Sequence, residues 1–218
     1  QAIEHSRKAT GDLDKFAQKW NSSSPPHDAH KLGKNVVYRG QSFISTWVGD
    51  TCIRQPRQGK PMIEPKQLET LRQQLKPGDI LIERQNWYLS RAFMPGYWAH
   101  AAIYVGTTND LVRMGLDKDP RVKKFWKEFA ARDASGHEHV ILEAVPRGVR
   151  ITTLEHCIGI ADSAAVMRPR IAPDRLPEVI AKAFVHLGKP YDFEFDFFST
   201  DKLVCTELVY RSCGDDVQ

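Results

Sequence analysis

The sequence predicts an α+β domain. Downstream of Pro77-Gly78 the apolar residues fall into short runs, Asp79 to Glu83, Ala99 to Val105 and His139 to Val145, each bounded by glycine, proline or charge. Buried strands have this form. The chain then closes on two helical patterns, Leu176 to Leu187 and a segment from near Cys205 to Cys213. A length of 218 residues with 41% hydrophobic content suits one core with an extension better than two full domains.

Taken in order, Ile3 to Trp20 carries Ile3, Leu13, Phe16, Ala17 and Trp20 at loosely helical spacing, and Asn21 to Pro26 breaks it. Val36 to Val48 is β-rich, and a loop rich in proline and basic residues, Gln55 to Pro61, follows. Glu64 to Leu75 reads as a helix with Leu68, Leu71 and Leu75 on one side, stopped by Pro77-Gly78. After the three strand-like runs, Thr153 to Ile158 is a short helix and Ser163 to Met167 another strand. For the helix at Leu176 to Leu187, Asp174 is the candidate N-cap, Pro177 suits the first turn and Gly188 follows the end. Gly214 stops the last helix. The expected order is strands first and helices last.

Composition excludes several function classes. The charged fraction is 27% and the net charge +4, with basic residues scattered rather than gathered, so nucleic acid is not an expected partner. Apolar stretches are a few residues long against the roughly 20 needed to cross a bilayer, so no transmembrane segment is expected. No basic-then-apolar leader follows Gln1. The four cysteines, Cys52, Cys157, Cys205 and Cys213, form no CxxC pair, which argues against a zinc ribbon or a thioredoxin-type motif. Neither a metal nor an organic cofactor is expected.

Three residues stand out chemically. Cys205 follows the polar run Ser199-Thr200-Asp201-Lys202, which would open a helix and place the thiol in its first turn. Unpaired N–H groups and the positive end of the helix dipole favour a thiolate there. On its own it reads better as a buried structural cysteine. His100 opens the apolar strand Ala101-Ala102-Ile103-Tyr104-Val105, where an imidazole could reach a helix terminus packed beside it or serve as a hydrogen-bonded core histidine. Glu143 interrupts Val140-Ile141-Leu142-Glu143-Ala144-Val145, and a buried carboxylate needs a partner. That partner is either the His100 imidazole, if the two strands are neighbours, or Arg147 or Arg150.

These residues lie in a wider pattern. Ala183-Phe184-Val185-His186-Leu187-Gly188-Lys189-Pro190-Tyr191, followed by Cys205-Thr206-Glu207-Leu208-Val209, resembles the helix, GxPY turn and nucleophile helix of NlpC-type cell-wall peptidases. In those enzymes a Pro-Gly-Asp segment and a strand beginning with His come later; here Pro77-Gly78-Asp79 and His100-Ala101-Ala102-Ile103 come earlier. The exchanged order resembles the circularly permuted papain-like amidases of the YaeF/YiiX type. The resemblance runs from about Leu75 to Gly214. Val204 and Thr206 depart from it, since an aromatic or acidic residue and a serine are more usual beside the nucleophile.

The resemblance implies a papain-like fold in permuted order, with an antiparallel central sheet and the nucleophile on a C-terminal helix. Residues 71–218 would be the catalytic domain and residues 1–70 a helical and extended segment outside the motifs. The roles implied are Cys205 as nucleophile, His100 as base and Glu143 as orienter, acting through an acyl-enzyme on an amide or ester. Tyr191 either lines the pocket or is structural. The substrate would be a cell-envelope peptide, an acyl amide or a lipid-like molecule, in the cell envelope or periplasm. Lipid acyl transfer or thioester hydrolysis by the same thiol is the nearest alternative, and a binding module without turnover is another. A metal held by Cys205 and Cys213 is disfavoured, because eight residues separate the thiols by more than about two helical turns.

Overall fold

The computed structural model describes residues 62–85, 97–195, 198 and 200–217. The expected helix at 3–20, the β-rich stretch at 36–48 and the loop at 55–61 lie outside the described residues.

Five strands form the sheet: β1 (Ile80–Arg84), β2 (His100–Tyr104), β3 (His139–Val145), β4 (Gly148–Thr153) and β5 (Ser163–Met167). Their spatial order is β4-β3-β2-β1-β5, and each neighbouring pair is antiparallel. Val140 to Ala144 are all buried, because β3 is covered on both faces, which explains why its residues other than Glu143 are apolar there. One face carries Ile103, Leu142, Ala144 and Ile151 and packs on helices α6 (Leu176–Val185) and α7 (Cys205–Cys213) through Ile180, Phe184 and Leu208. The other carries Leu81, Ala102, Tyr104 and Ile141 under Leu68 of α1 (Pro65–Gln74) and Leu154, Cys157 and Ile158 in and after α5 (Leu154–Cys157).

The strands and the long helices lie where the periodicity puts them, but the order "strands first, helices last" is incorrect. Between β2 and β3 come α2 (Thr108–Arg113), α3 (Pro120–Lys123) and α4 (Trp126–Ala130). They are too short to show a helical period. Local caps hold two of them, with Thr107 Oγ1 accepting from the Asp110 N–H at 3.2 Å and Asp119 Oδ1 from the Arg121 N–H at 2.9 Å. Strand β4 was also missed, since Arg150 and two threonines dilute its pattern. Asp174 is not the cap of α6: Arg175 is already in the helical region, and the N–H groups of Arg175 and Leu176 bond back to the Ala172 carbonyl.

The Pro-Gly-Asp segment is architectural. Gly78, at φ +90°, donates its N–H to the Tyr104 carbonyl at 2.8 Å, and the Tyr104 N–H returns to the Asp79 carbonyl at 2.9 Å. The Asp79 carboxylate is buried and takes Arg168 on both oxygens, at 2.7 Å each. This staples the start of β1 to the end of β2 and to the residue after β5.

A second staple holds the turn before α7. Val149 of β4 donates to the Lys189 carbonyl at 2.8 Å and accepts from the Gly188 N–H at 2.9 Å, and Leu203 then donates to the Pro190 carbonyl at 3.1 Å. The Gly188-Lys189-Pro190-Tyr191 turn therefore hangs on the edge of the sheet and sets the start of α7. Gly148 permits the approach: its φ is +106°, and an added Cβ would sit 2.7 Å from the Lys189 carbonyl oxygen. Among the described residues, no helix is long and apolar enough to cross a membrane. Gly148→Ala should cost about 1–3 kcal/mol through strain and clash, read as a lower urea midpoint with an unchanged slope; an unchanged midpoint would show that the turn gives way freely.

Candidate active site

Sheet register brings His100 and Glu143 together. Ala102 of β2 lies directly opposite Glu143 of β3, and His100, two residues earlier, shares the Ala102 face. The pair is thus diagonal across adjacent strands, a separation that long side chains span. His100 Nε2 and Glu143 Oε2 are 2.9 Å apart. The alternative partner is there too: Arg150, opposite Glu143 on β4, donates to Oε1 from Nε at 2.8 Å. Burial pushes the Glu143 carboxyl up, but the bond from His100 and the charges of His100 and Arg150 outweigh it and hold it at about 2.

Cys205 is the first residue of α7, as its polar approach predicted. Its N-cap is Val204, which has no side-chain acceptor, so Val204 occupies none of the free N–H groups of the first turn. The Val204 N–H itself goes to the buried Glu207 carboxylate at 3.1 Å, and Arg211 holds that carboxylate at 2.9 Å. The His100 imidazole and the backbone N–H groups of Ala101 and Thr206 act on the Cys205 thiol. Burial raises the thiol, yet the His100 bond and charge and these backbone donors bring it below its ordinary range. His100 moves the other way. Burial lowers it, while bonds to Cys157, Cys205 and Glu143 and the charge on Cys205 raise it well above its ordinary value.

Such an arrangement favours a thiolate beside an imidazolium backed by a carboxylate, the chemistry that attack on an electrophilic carbon and protonation of a leaving group would need. The family model described as "permuted papain-like amidase enzyme, YaeF/YiiX, C92 family" matches residues 74–217. The chain belongs to this family. No curated protein and no solved structure matches it. As a permuted papain-like amidase it is a cysteine hydrolase, and its helices with an antiparallel five-stranded sheet agree with the α+β fold expected. The binding-module reading gives way to the enzyme.

Tyr191, Cys157 and Cys213 of this amidase occupy distinct environments. Tyr191 is buried, its ring 5.1 Å from that of Phe193, and its hydroxyl is pushed up by burial and then by the charge on Cys205. Cys213 is at the far end of α7, where burial and Asp216 push its thiol up to about 11. Cys157, which no motif singles out, brings its sulfur within 4.8 Å of donor atoms of His100 and Glu143. Burial drives its thiol up to about 12, and the charges of Glu143 and Glu83 add to that against the pull of His100. The signal was present: Leu154, Cys157 and Ile158 share a helical face. Knowing that this face covers His100 required the sheet.

Donor atoms of His100, Glu143 and Cys157 all lie within 4.8 Å of one another, a spacing that could suit a metal. The fit is poor, because both Glu143 oxygens are engaged and one already carries the Arg150 guanidinium. The electrostatics instead separate the two thiols. Near neutral pH a haloacetamide should alkylate Cys205 at least tenfold faster than Cys157 or Cys213, since the thiolate fraction sets the rate; peptide mapping of timed samples reads the order, and equal labelling would contradict it.

Proposed function

We propose that Cys205 is the nucleophile, His100 the general base and acid, and Glu143 the group that orients the imidazole, in hydrolysis of an amide through an acyl-enzyme. The observation that carries this reading is a single imidazole bonded to a helix-terminal cysteine and, through Nε2, to a buried carboxylate. Family membership supports a peptide-type substrate, and a cell-envelope peptide or an acylated amide is the class we infer. The residues assigned here all fall within 71–218, which we take as the catalytic domain.

The thiolate adds to the carbonyl carbon, and the oxyanion accepts from the backbone N–H of Cys205. Collapse breaks the C–N bond as the His100 imidazolium protonates the leaving amine. The neutral imidazole then takes a proton from water, the hydroxide attacks the thioester, and cleavage of the C–S bond releases the acid and restores the ion pair. Throughout, Glu143 accepts from Nε2–H and keeps Nδ1 for the sulfur side. Tyr191 would contribute a wall of the acyl site beside Cys205.

The pH dependence follows from the opposite shifts of the two groups. A free thiol at 9.0 and a free imidazole at 6.5 would never be charged together in quantity. In the site the thiol is lowered and the imidazole raised, which favours the two being charged together. Activity should fall on the acid side as Cys205 gains its proton and on the alkaline side as His100 loses its own, with Glu143, at about 2, ionised throughout. A kcat/KM profile on an acyl-amide substrate checks this, and a rate rising steadily to pH 10 would argue for a neutral imidazole instead.

Substitution separates the roles. Cys205→Ala should abolish turnover, and His100→Ala should lower kcat/KM by roughly 10²- to 10⁴-fold. Glu143→Gln should lose less, because an amide oxygen still accepts from Nε2–H. Intact-mass trapping of an acylated Cys205 tests the covalent step, and residual turnover in Cys205→Ala would overturn the assignment.

A further inference from the structure

Glu143 divides its oxygens between two partners. Oε2 meets His100 Nε2 at 2.9 Å, while Oε1 alone receives Arg150 Nε at 2.8 Å and Nη2 at 2.7 Å. A guanidinium more often forks across both oxygens of a carboxylate, as Arg168 does on Asp79. That geometry here would take the acceptor away from His100. Register produces the division: Arg150 is directly opposite Glu143 on one side, and Ala102 is directly opposite it on the other, so the carboxylate reaches diagonally to His100.

We propose that Arg150 is a positioning residue for the hydrolysis, holding Oε1 of Glu143 so that Oε2 stays ionised, rotationally fixed and available to the imidazole. The inference rests on the reading in which Cys205, His100 and Glu143 act together, and it adds a fourth side chain that works through Glu143 without touching substrate. Glu143 is 2% exposed, and one hydrogen bond would leave its carboxylate poorly compensated. The side chain of Arg150 is 36% exposed, so its charge keeps contact with water and the pair is better suited to holding geometry than to adding stability. Facing the same groups from the other elements are Glu83 on β1, opposite His100 in register, Cys157 of α5 and Cys205 of α7. Among these Arg150 brings the permanent positive charge.

The test compares the full chain with Arg150→Gln and Arg150→Lys, and repeats Arg150→Gln in a Glu143→Gln background. Two profiles are read against pH: kcat/KM on an acyl amide, and the rate at which iodoacetamide alkylates Cys205. Arg150→Gln should lower kcat by roughly 10- to 100-fold, the range for groups that orient a functional imidazole from behind, with KM little changed. Both acid limbs should move to higher pH, since a Glu143 carboxylate that has lost its Arg150 partner supports the imidazolium beside Cys205 less well. Lysine, with charge but no fork, should fall between, and added guanidinium ion should restore part of the rate to Arg150→Ala. In the Glu143→Gln background, Arg150→Gln should cost almost nothing further. If Arg150→Gln lowers only the melting temperature and leaves kcat and both profiles unchanged, or costs the same factor with and without Glu143, the inference is overturned. Rapid alkylation of Cys205 that ignores Arg150 removes this inference alone, whereas slow alkylation of Cys205 in the unsubstituted chain removes the reading of the site itself.

Discussion

The site depends on a carboxylate buried in the middle of a sheet. Glu143 occupies a position where β3 otherwise carries Ile141, Leu142 and Ala144, all nearly inaccessible to water. An unpaired charge there would cost several kcal/mol. Partners on both flanking strands remove that cost, Arg150 from β4 and His100 from β2. The same constraint orients the imidazole, because satisfying Glu143 commits Nε2. Stability and chemistry are met by one set of hydrogen bonds.

Two buried thiols then lie beside one imidazole and are shifted in opposite directions. Cys205 begins a helix, with backbone donors from Ala101 and Thr206 and no capping side chain from Val204 competing for the first turn. Cys157 ends a short helix, and the acidic neighbours Glu143 and Glu83 disfavour a second anion. Burial raises both thiols. Backbone polarity and the sign of the surrounding charge lower the Cys205 thiol and leave the Cys157 thiol raised. The departures at Val204 and Thr206 fit this account, since the sulfur draws on the Thr206 N–H and the apolar N-cap leaves that group free.

Backbone geometry carries the alignment of α7 over a long stretch of chain. The edge of β4 holds the Gly188 to Tyr191 turn, that turn holds Leu203, and Cys205 follows two residues later. Gly148 has no side chain because the Lys189 carbonyl lies where its Cβ would be. On the opposite side, Asp79 and Arg168 fix the start of β1 and the end of β2. The reacting side chains thus sit on elements whose ends are each pinned by a backbone or ionic staple.

Sequence alone determined the pieces. Apolar runs bounded by turn residues placed β1, β2, β3 and β5 within a residue or so, leucine spacing and a stop placed α1, and a polar approach placed Cys205 at the start of α7. Polar residues interrupting apolar runs marked His100 and Glu143, since burial of such groups is costly enough to need a reason. Periodicity has no long-range information, however, and four features depended on that. Strand β4, the order β4-β3-β2-β1-β5, the simultaneous pairing of Glu143 with His100 and Arg150, and the position of Cys157 against the imidazole all follow from which strands lie side by side. A side chain's face can be read from local alternation, but its partner on that face is set by register between strands far apart in the chain, and only the folded sheet decides register.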